Sequence, residues 1–210
     1  STATTLLALT TVGAMRDTDL TREAQKVLSF TDNRQDASLQ AGHFNDFVQV
    51  ALIRAALHQA LTQYRELRFE EVAGRVVDAL DLQLKDYAKQ KDLDANSLQA
   101  GKTRQVLREV VEYRLYEDLR RGWRVVQPNL EQCGLLRMDY DGLEALIARE
   151  DVWGPVAVMA DLTAAQRGEA LRTLLDEMRR QSTIDVACLK RGQAQDELKR
   201  RAIEYLDEGW

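Results

Sequence analysis

Apolar residues fall at helical spacing along most of this chain, and the stretches where that rhythm breaks are few. Residues 2–15 predict a first helix, with Leu6, Leu7 and Leu9 as its apolar surface. A polar connection, RDTDLTREAQ, leads to an apolar run at 26–31 that reads as a short strand. From about 36 to 64, Phe44, Phe47, Val48, Ala51, Leu52 and Ala55 keep helical spacing and predict a long helix. Phe69, Val72, Ala73, Val76 and Leu80 predict a third helix over about 69–82. KDYAKQKDLDANS is polar and predicts a loop with some helical turn. Over about 99–121, Val106, Leu107, Val110, Val111, Leu115 and Leu119 build the widest apolar face in the sequence.

After Gly122 the texture changes. Two short β-like runs, 123–126 and 135–140, flank a Pro-started turn, and helix–strand–helix–strand is the order of a winged-helix-like unit over 104–140. Residues 142–150 predict a short helix stopped near Trp153, Gly154 and Pro155. Thr163 and Gln166 stand at capping-box spacing, since the Thr hydroxyl accepts from the backbone while the Gln side chain reaches back. Leu171, Leu174, Leu175 and Met178 then supply an apolar stripe, and Leu198, Ala202 and Leu206 carry a last helix over about 194–208. The expected fold is mainly α with a minor β component, a helical bundle-like domain with one or a few short strands.

Composition narrows the functional classes. The chain has 210 residues, 45% of them hydrophobic and 30% charged, with only 2 Pro and 11 Gly, which favours long helices over tight turns. No apolar stretch has the length of a membrane span and no signal segment opens the chain, so a cytoplasmic protein without a membrane partner is expected. The opening STATTLLALTTVGAM begins without a Met, which reads as a cut inside a longer protein, with removal of an initiator Met before Ser1 as the alternative. Cys133 and Cys188 lie far apart, and neither they nor His43 and His58 have a second Cys or His at ligand spacing. Two reduced, partly buried thiols are expected, and no metal site. The net charge of −5 argues against a freestanding strong nucleic-acid binder, because Lys and Arg on phosphates supply most such affinity.

Several short motifs invite chemistry that their context does not support. AGKT at 100–103 lacks the glycine five residues before its Gly-Lys and follows a charged, loop-like lead-in, so Lys102 is expected to be a solvated first-turn residue. DEMR at 176–179 and DELK at 196–199 resemble a magnesium-holding Asp-Glu pair, but such a pair ends an apolar strand. Both stand in helical sequence and are expected on solvated surface. The basic clusters Arg120-Arg121-Arg124, Arg179-Arg180 and Lys199-Arg200-Arg201 each have acidic neighbours, which makes helix-surface pairing the leading expectation and a phosphate track the alternative. No catalytic constellation can be assembled from the Ser, Cys, His and carboxylate positions.

One stretch departs from the rest. Val27-Leu28-Ser29-Phe30 breaks into Thr31-Asp32-Asn33-Arg34-Gln35-Asp36-Ala37, an apolar strand handing over to a dense polar run before a helix. It resembles motif IV of superfamily 2 helicases, in the large bacterial DEAD/DEAH-box group, where a strand ends in Ser/Thr-Asp-Ser/Asn-Arg-Gln-Asp-Ala at the start of the second RecA-like domain. The following SLQAGHFNDF and the later WRVVQPNLEQCGLLRMDY are similar to that branch, whose second RecA domain carries a helical insertion. The likeness is specific over roughly 26–50 and looser over 104–140 and about 170–205. It implies that Thr31, Asn33, Arg34 and Gln35 contact a nucleic-acid backbone, with Arg34 as a forked, permanently charged donor. Asp32 and Asp36 would orient these groups or cap the helix, since carboxylates repel phosphate.

The departures bound what the resemblance implies. The chain has no Walker loop, no strand-borne Asp-Glu pair and no Gln-x-x-Gly-Arg-x-x-Arg motif, the parts that hydrolyse ATP between facing RecA domains. The expectation is a fragment of an ATP-dependent DNA helicase or translocase that is not catalytic alone and holds no cofactor. ATP and Mg would then belong to the parent, and DNA and the remaining helicase domains would be the partners. Residues 1–65 would be the leading part of the second RecA-like domain and 66–210 the helical insertion. The alternative is a non-enzymatic all-helical protein–protein interaction domain in which Asp-Asn-Arg-Gln-Asp is only a turn and N-cap.

Overall fold

A computed structural model describes residues 2–21, 23–27, 34–121, 128–181, 183, 185–186, 189, 193–208 and 210, with backbone alone at 2, 4, 34–43, 45, 121 and 193. Among the described residues the chain is mainly helical, as its apolar spacing predicts: ten helices, no sheet, and one isolated antiparallel bridge between Ala88 and Leu206. The chain divides into two compact units, Ser1–Ala55 and Ala56–Glu208 with Trp210, and the division falls inside one helix.

In the first unit, α1 (Thr2–Arg16) occupies the predicted span. Its Thr10 and Thr11 hydroxyls donate to the carbonyls of Leu6 and Leu7, at 2.9 and 2.7 Å, so these side chains stay within the helix backbone. Leu6 and Leu7, expected to be covered, are exposed. Lys26 and Val27 are not in a strand, and the rest of the predicted strand lies outside the described residues. The long helix α2 (Arg34–Tyr64) begins at the polar run and covers the predicted 36–64. Of its predicted stripe, Phe44, Phe47 and Val48 are half-buried, while Ala51, Leu52 and Ala55 are exposed.

The second unit is built around α5 (Leu98–Arg121), against which α3 (Phe69–Leu80), α4 (Leu84–Tyr87), α9 (Ala164–Arg180) and α10 (Gln193–Tyr205) pack. All six apolar residues predicted for the face of α5 are buried, joined by Ala100 and Thr103. Ser97 caps this helix, its Oγ accepting the Ala100 amide at 3.1 Å. Leu57 and Ala60, in the last turns of α2, are also buried. Tyr64 stacks under the Arg75 guanidinium, 4.4 Å from its ring centre, and its hydroxyl accepts from the same group. The polar segment after α3 is no bystander, because Tyr87 and Ala88 are buried. Lys89 N donates to Tyr205 O and Asp207 N to Tyr87 O, a two-bond clasp that Lys91–Asp207 reinforces.

A second apolar cluster joins Leu143, Ile147, Trp153 and Leu171. The helix predicted over 142–150 is two pieces, α6 (Leu143–Ile147) and α7 (Glu150–Trp153), with Arg149 extended between them. The Trp153 indole N–H takes the Leu146 carbonyl at 2.8 Å, which fixes the break and seats the ring in the cluster. The helix α8 (Ala157–Ala160) has no counterpart in the sequence reading. Residues 135–140, predicted to be β-like, form no ladder, and 123–126 lie outside the described residues, so neither strand of the winged-helix-like unit is present among those described. The capping box at α9 forms in both directions: Gln166 N donates to Thr163 Oγ1 at 3.3 Å, and Thr163 N to Gln166 Oε1 at 3.0 Å.

Candidate nucleic-acid interface

Of the four residues singled out by sequence, Thr31 and Asn33 lie outside the described residues, and Arg34 and Gln35 are the first two residues of α2, described by their backbone. The helix starts within the polar run itself, so the amides of its first turn, which have no partner inside a helix, stand beside Arg34. His43 lies further along the same helix, and His58 is exposed on it.

The basic clusters are the other candidates for phosphate contact; their described arginines meet carboxylates, and Lys199 is exposed. Arg120 pairs with Glu117 at 3.4 Å. Arg180 lies 3.9 Å from both Asp176 and Glu177, and Arg200 pairs with Glu197 at 2.6 Å. Arg201 reaches across to Glu109 on α5, also at 2.6 Å. Arg124 lies outside the described residues and Arg121 is described by its backbone. Each cluster therefore presents paired charge, as helix-surface pairing predicts.

The short motifs resolve in different directions. AGKT lies in the first turns of α5, where Gly101 N donates to Ser97 O and the fully buried Thr103 donates to Gln99 O at 2.9 Å. Its groups are consumed by the helix, and Lys102 is exposed as expected. In DELK, Asp196 and Glu197 are exposed on α10. DEMR lies on solvated surface only in part: Glu177 and Met178 are exposed, but Asp176 and Arg179 are not. Asp176 accepts the Tyr140 hydroxyl at 2.6 Å, and Arg179 is 4% exposed.

That arginine belongs to a set the sequence reading missed. Arg167, Arg172 and Arg179 of α9 hold four carboxylates of the 131–150 segment. Arg167 is 3% exposed, forks onto both Glu150 oxygens at 2.8 Å and donates to Met159 O at 3.1 Å. Arg172 binds Asp139 at 3.1 Å and Glu144 at 2.5 Å. Arg179 binds Glu131 at 2.5 Å and Asp176 at 3.3 Å, while its Nε and Nη1 are buried without a partner. Burial works to raise the Asp176 carboxyl, but the Tyr140 and Arg179 hydrogen bonds outweigh it and hold the group below its ordinary value. Burial and the Asp176 carboxylate push the Tyr140 hydroxyl up. The available signal was a spacing of four, Arg167-Leu171-Leu175-Arg179, which puts both arginines on the apolar face. Leu174 and Met178, read as part of that face, lie at its exposed edge instead.

An open groove along α9 is lined by Glu144, Ile147, Gly168, Arg172 and Asp176 among others. Among the described residues no group of three or more His, Cys, Asp or Glu could hold a metal ion, and no helix is long and apolar enough to cross a membrane. Cys133, expected to be partly buried, is an exposed free thiol, and Cys188 lies outside the described residues. No family model, no curated protein and no solved structure matches this chain.

Proposed function

We propose that this chain is part of a cytoplasmic ATP-dependent DNA helicase or translocase of superfamily 2. It supplies nucleic-acid backbone contacts from Thr31, Asn33, Arg34 and Gln35 together with a helical accessory domain. The literal run Thr31-Asp32-Asn33-Arg34-Gln35-Asp36-Ala37 after an apolar segment carries the reading. The start of the 31-residue helix α2 at Arg34 is consistent with it, because motif IV sits where a strand hands over to a helix. ATP and Mg would be held by other parts of the parent. A fluorescence-anisotropy titration of labelled single- and double-stranded DNA tests the reading. Weak, salt-sensitive binding is expected, and Arg34→Ala lowers the affinity and flattens the salt slope by about 0.7–0.9, the share of one phosphate contact. An affinity that Arg34→Ala leaves unchanged at low salt overturns it.

A second reading, a helical protein–protein interaction domain, draws on the apolar side chains that the second unit leaves in solvent. Phe69, Leu98, Val158 and Ile203 are each more than half exposed. This reading predicts a discrete protein complex and indifference to DNA in the same titration.

A further inference from the structure

Between Leu130 and Leu143, both buried, no residue of the second unit is buried. Leu135, Leu136, Met138 and Tyr140 are half-covered, and the rest of 135–141 is exposed. The stretch is bounded by Gly134 at φ +73° and Gly142 at φ +76°, and a Cβ at either would meet nothing within 4 Å. Positive φ with open space is backbone that only glycine holds without strain. Both flanks are anchored. Asn129 and Gln132 exchange side-chain-to-amide bonds, at 2.8 and 3.0 Å, and Asn129 Nδ2 donates to Leu119 O at the end of α5. On the other side, Leu143 enters the Trp153 cluster.

Four polar fastenings hold the stretch down, one of them an exposed ion pair of Asp141 with Arg68, just before α3, at 3.5 Å. Asp139 takes Arg172, the Tyr140 hydroxyl donates to Asp176, and the Met138 amide donates to Glu131 Oε1 at 3.2 Å. Glu131 is thereby shared, because its Oε2 accepts from Arg179. The closed arrangement also leaves the Nε and Nη1 of Arg179 buried and unpartnered. A buried donor without an acceptor keeps its full desolvation penalty, and admitting water relieves it. A segment whose tie to the second apolar cluster is the half-buried Tyr140, with glycines at both ends and orphaned donors at its fastenings, opens well below the global unfolding free energy.

We infer that residues 135–141 form a strap, hinged at Gly134 and Gly142, that opens as a unit from α9 while both apolar clusters stay intact. The latch is ionic and polar, and Arg172 and Asp176 also line the groove on α9. Whatever occupies that groove and takes either side chain competes with the strap for it. The facing charged and titratable groups are Arg172, Asp176, Arg179 and Arg180 from α9, Glu144 from α6, Arg68 before α3 and Glu131, against Arg137, Asp139, Tyr140 and Asp141 of the segment itself.

Amide hydrogen exchange on the intact chain, followed residue by residue, tests this. The Met138 amide is the reporter, and those of Val106, Val110 and Val111 in α5 report global unfolding. The Met138 amide is expected to exchange faster than the α5 amides in the wild type. Arg172→Gln speeds Met138 about fivefold, the scale of losing two half-exposed ion pairs, and 0.5 M NaCl (which shortens the Debye length from about 10 Å at 0.1 M to about 4 Å) acts in the same direction, with α5 unchanged. Should Arg172→Gln not fold, Tyr140→Phe keeps the ring, loses only the hydroxyl to Asp176, and carries the same expectation. Met138 exchanging at the α5 rate in wild type and variant, or both sets accelerating by one factor, overturns the strap.

Discussion

Arg179 and Arg167 are as deeply covered as Leu171 between them, which reverses the usual reading of an Arg in an amphipathic helix. Each is tolerated because a carboxylate meets it, and for Arg179 the fit is incomplete, with two N–H groups left over. Arg179→Ala is expected to cost about 3 kcal/mol, since it strands the half-buried Glu131 and empties the site. Arg179→Met, which fills the volume and removes the orphaned donors, is expected to cost clearly less. Denaturant midpoints of the two variants against wild type decide the order. Glu112 makes the opposite case. Burial first, then the neighbouring Glu109, raises its carboxyl above the ordinary value. A raised carboxyl pKa means the folded state holds the proton more tightly, so Glu112 detracts from stability above its folded pKa and less as pH falls through it. Glu112→Gln is therefore expected to raise Tm at pH 7, and thermal melts should show the gain fading as pH falls through the raised folded value towards the ordinary carboxyl range. Asp176, held low by Tyr140 and Arg179, behaves oppositely: its contribution is complete above its unfolded value and disappears as pH falls.

At the scale of elements, helices and their apolar faces were legible, and the ion pairs that join α9 to the 131–150 segment were not. The face of α5 could be read residue by residue because Val and Leu at i, i+3, i+4 have one use there. The Thr163–Gln166 cap was legible because its chemistry is local. The break between α6 and α7 was not, since it depends on an indole reaching a carbonyl seven residues back. Residues 135–140 were misread as β-like because half-buried apolar residues alternate there with exposed polar ones, and only α9 shows what they lie against. The motif at 31–35 was legible solely as a likeness, and its side-chain geometry lies outside the described residues. Two glycines separate helix propensity from packing. Gly101 is exposed in α5 with nothing within 4 Å of a Cβ, so Gly101→Ala is expected to stabilise by about 1 kcal/mol. A phosphate-wrapping loop would not tolerate that change, so the same variant checks the reading of AGKT as helix. At Gly168 a Cβ would come 3.1 Å from Ile147 Cδ1, inside the second apolar cluster. Gly168→Ala is expected to melt below Gly101→Ala, because Ile147 must give way in a packed neighbourhood.

Over the whole molecule, the second unit combines two kinds of cohesion. Around α5 the contacts are apolar and close-packed, with Val106, Leu107, Val111 and Leu57 nearly without exposure. Around α9 the segment from 131 to 160 has only short helices, and the arginines of one face do much of the holding. Salt should therefore weaken the second half of this unit before the first. Were the helicase reading correct, the described arginines of the second unit's basic clusters would add little to DNA binding, because their charges are already matched.

The clasp between the segment after α4 and the chain following α10 sets the order in which the molecule can be made. Lys89 Nζ meets the Ile203 carbonyl across a sequence separation of 114 residues, and α5 receives α10 from the same late stretch. Closing so long a loop is entropically costly and slow, whereas α3 and α5 are near neighbours in sequence. On a ribosome, α5 would emerge with α3 to cover it and wait through the stretch between Arg121 and Gln193 before α10 begins to be made. Its remaining apolar face is then the surface that a nascent-chain chaperone would meet first.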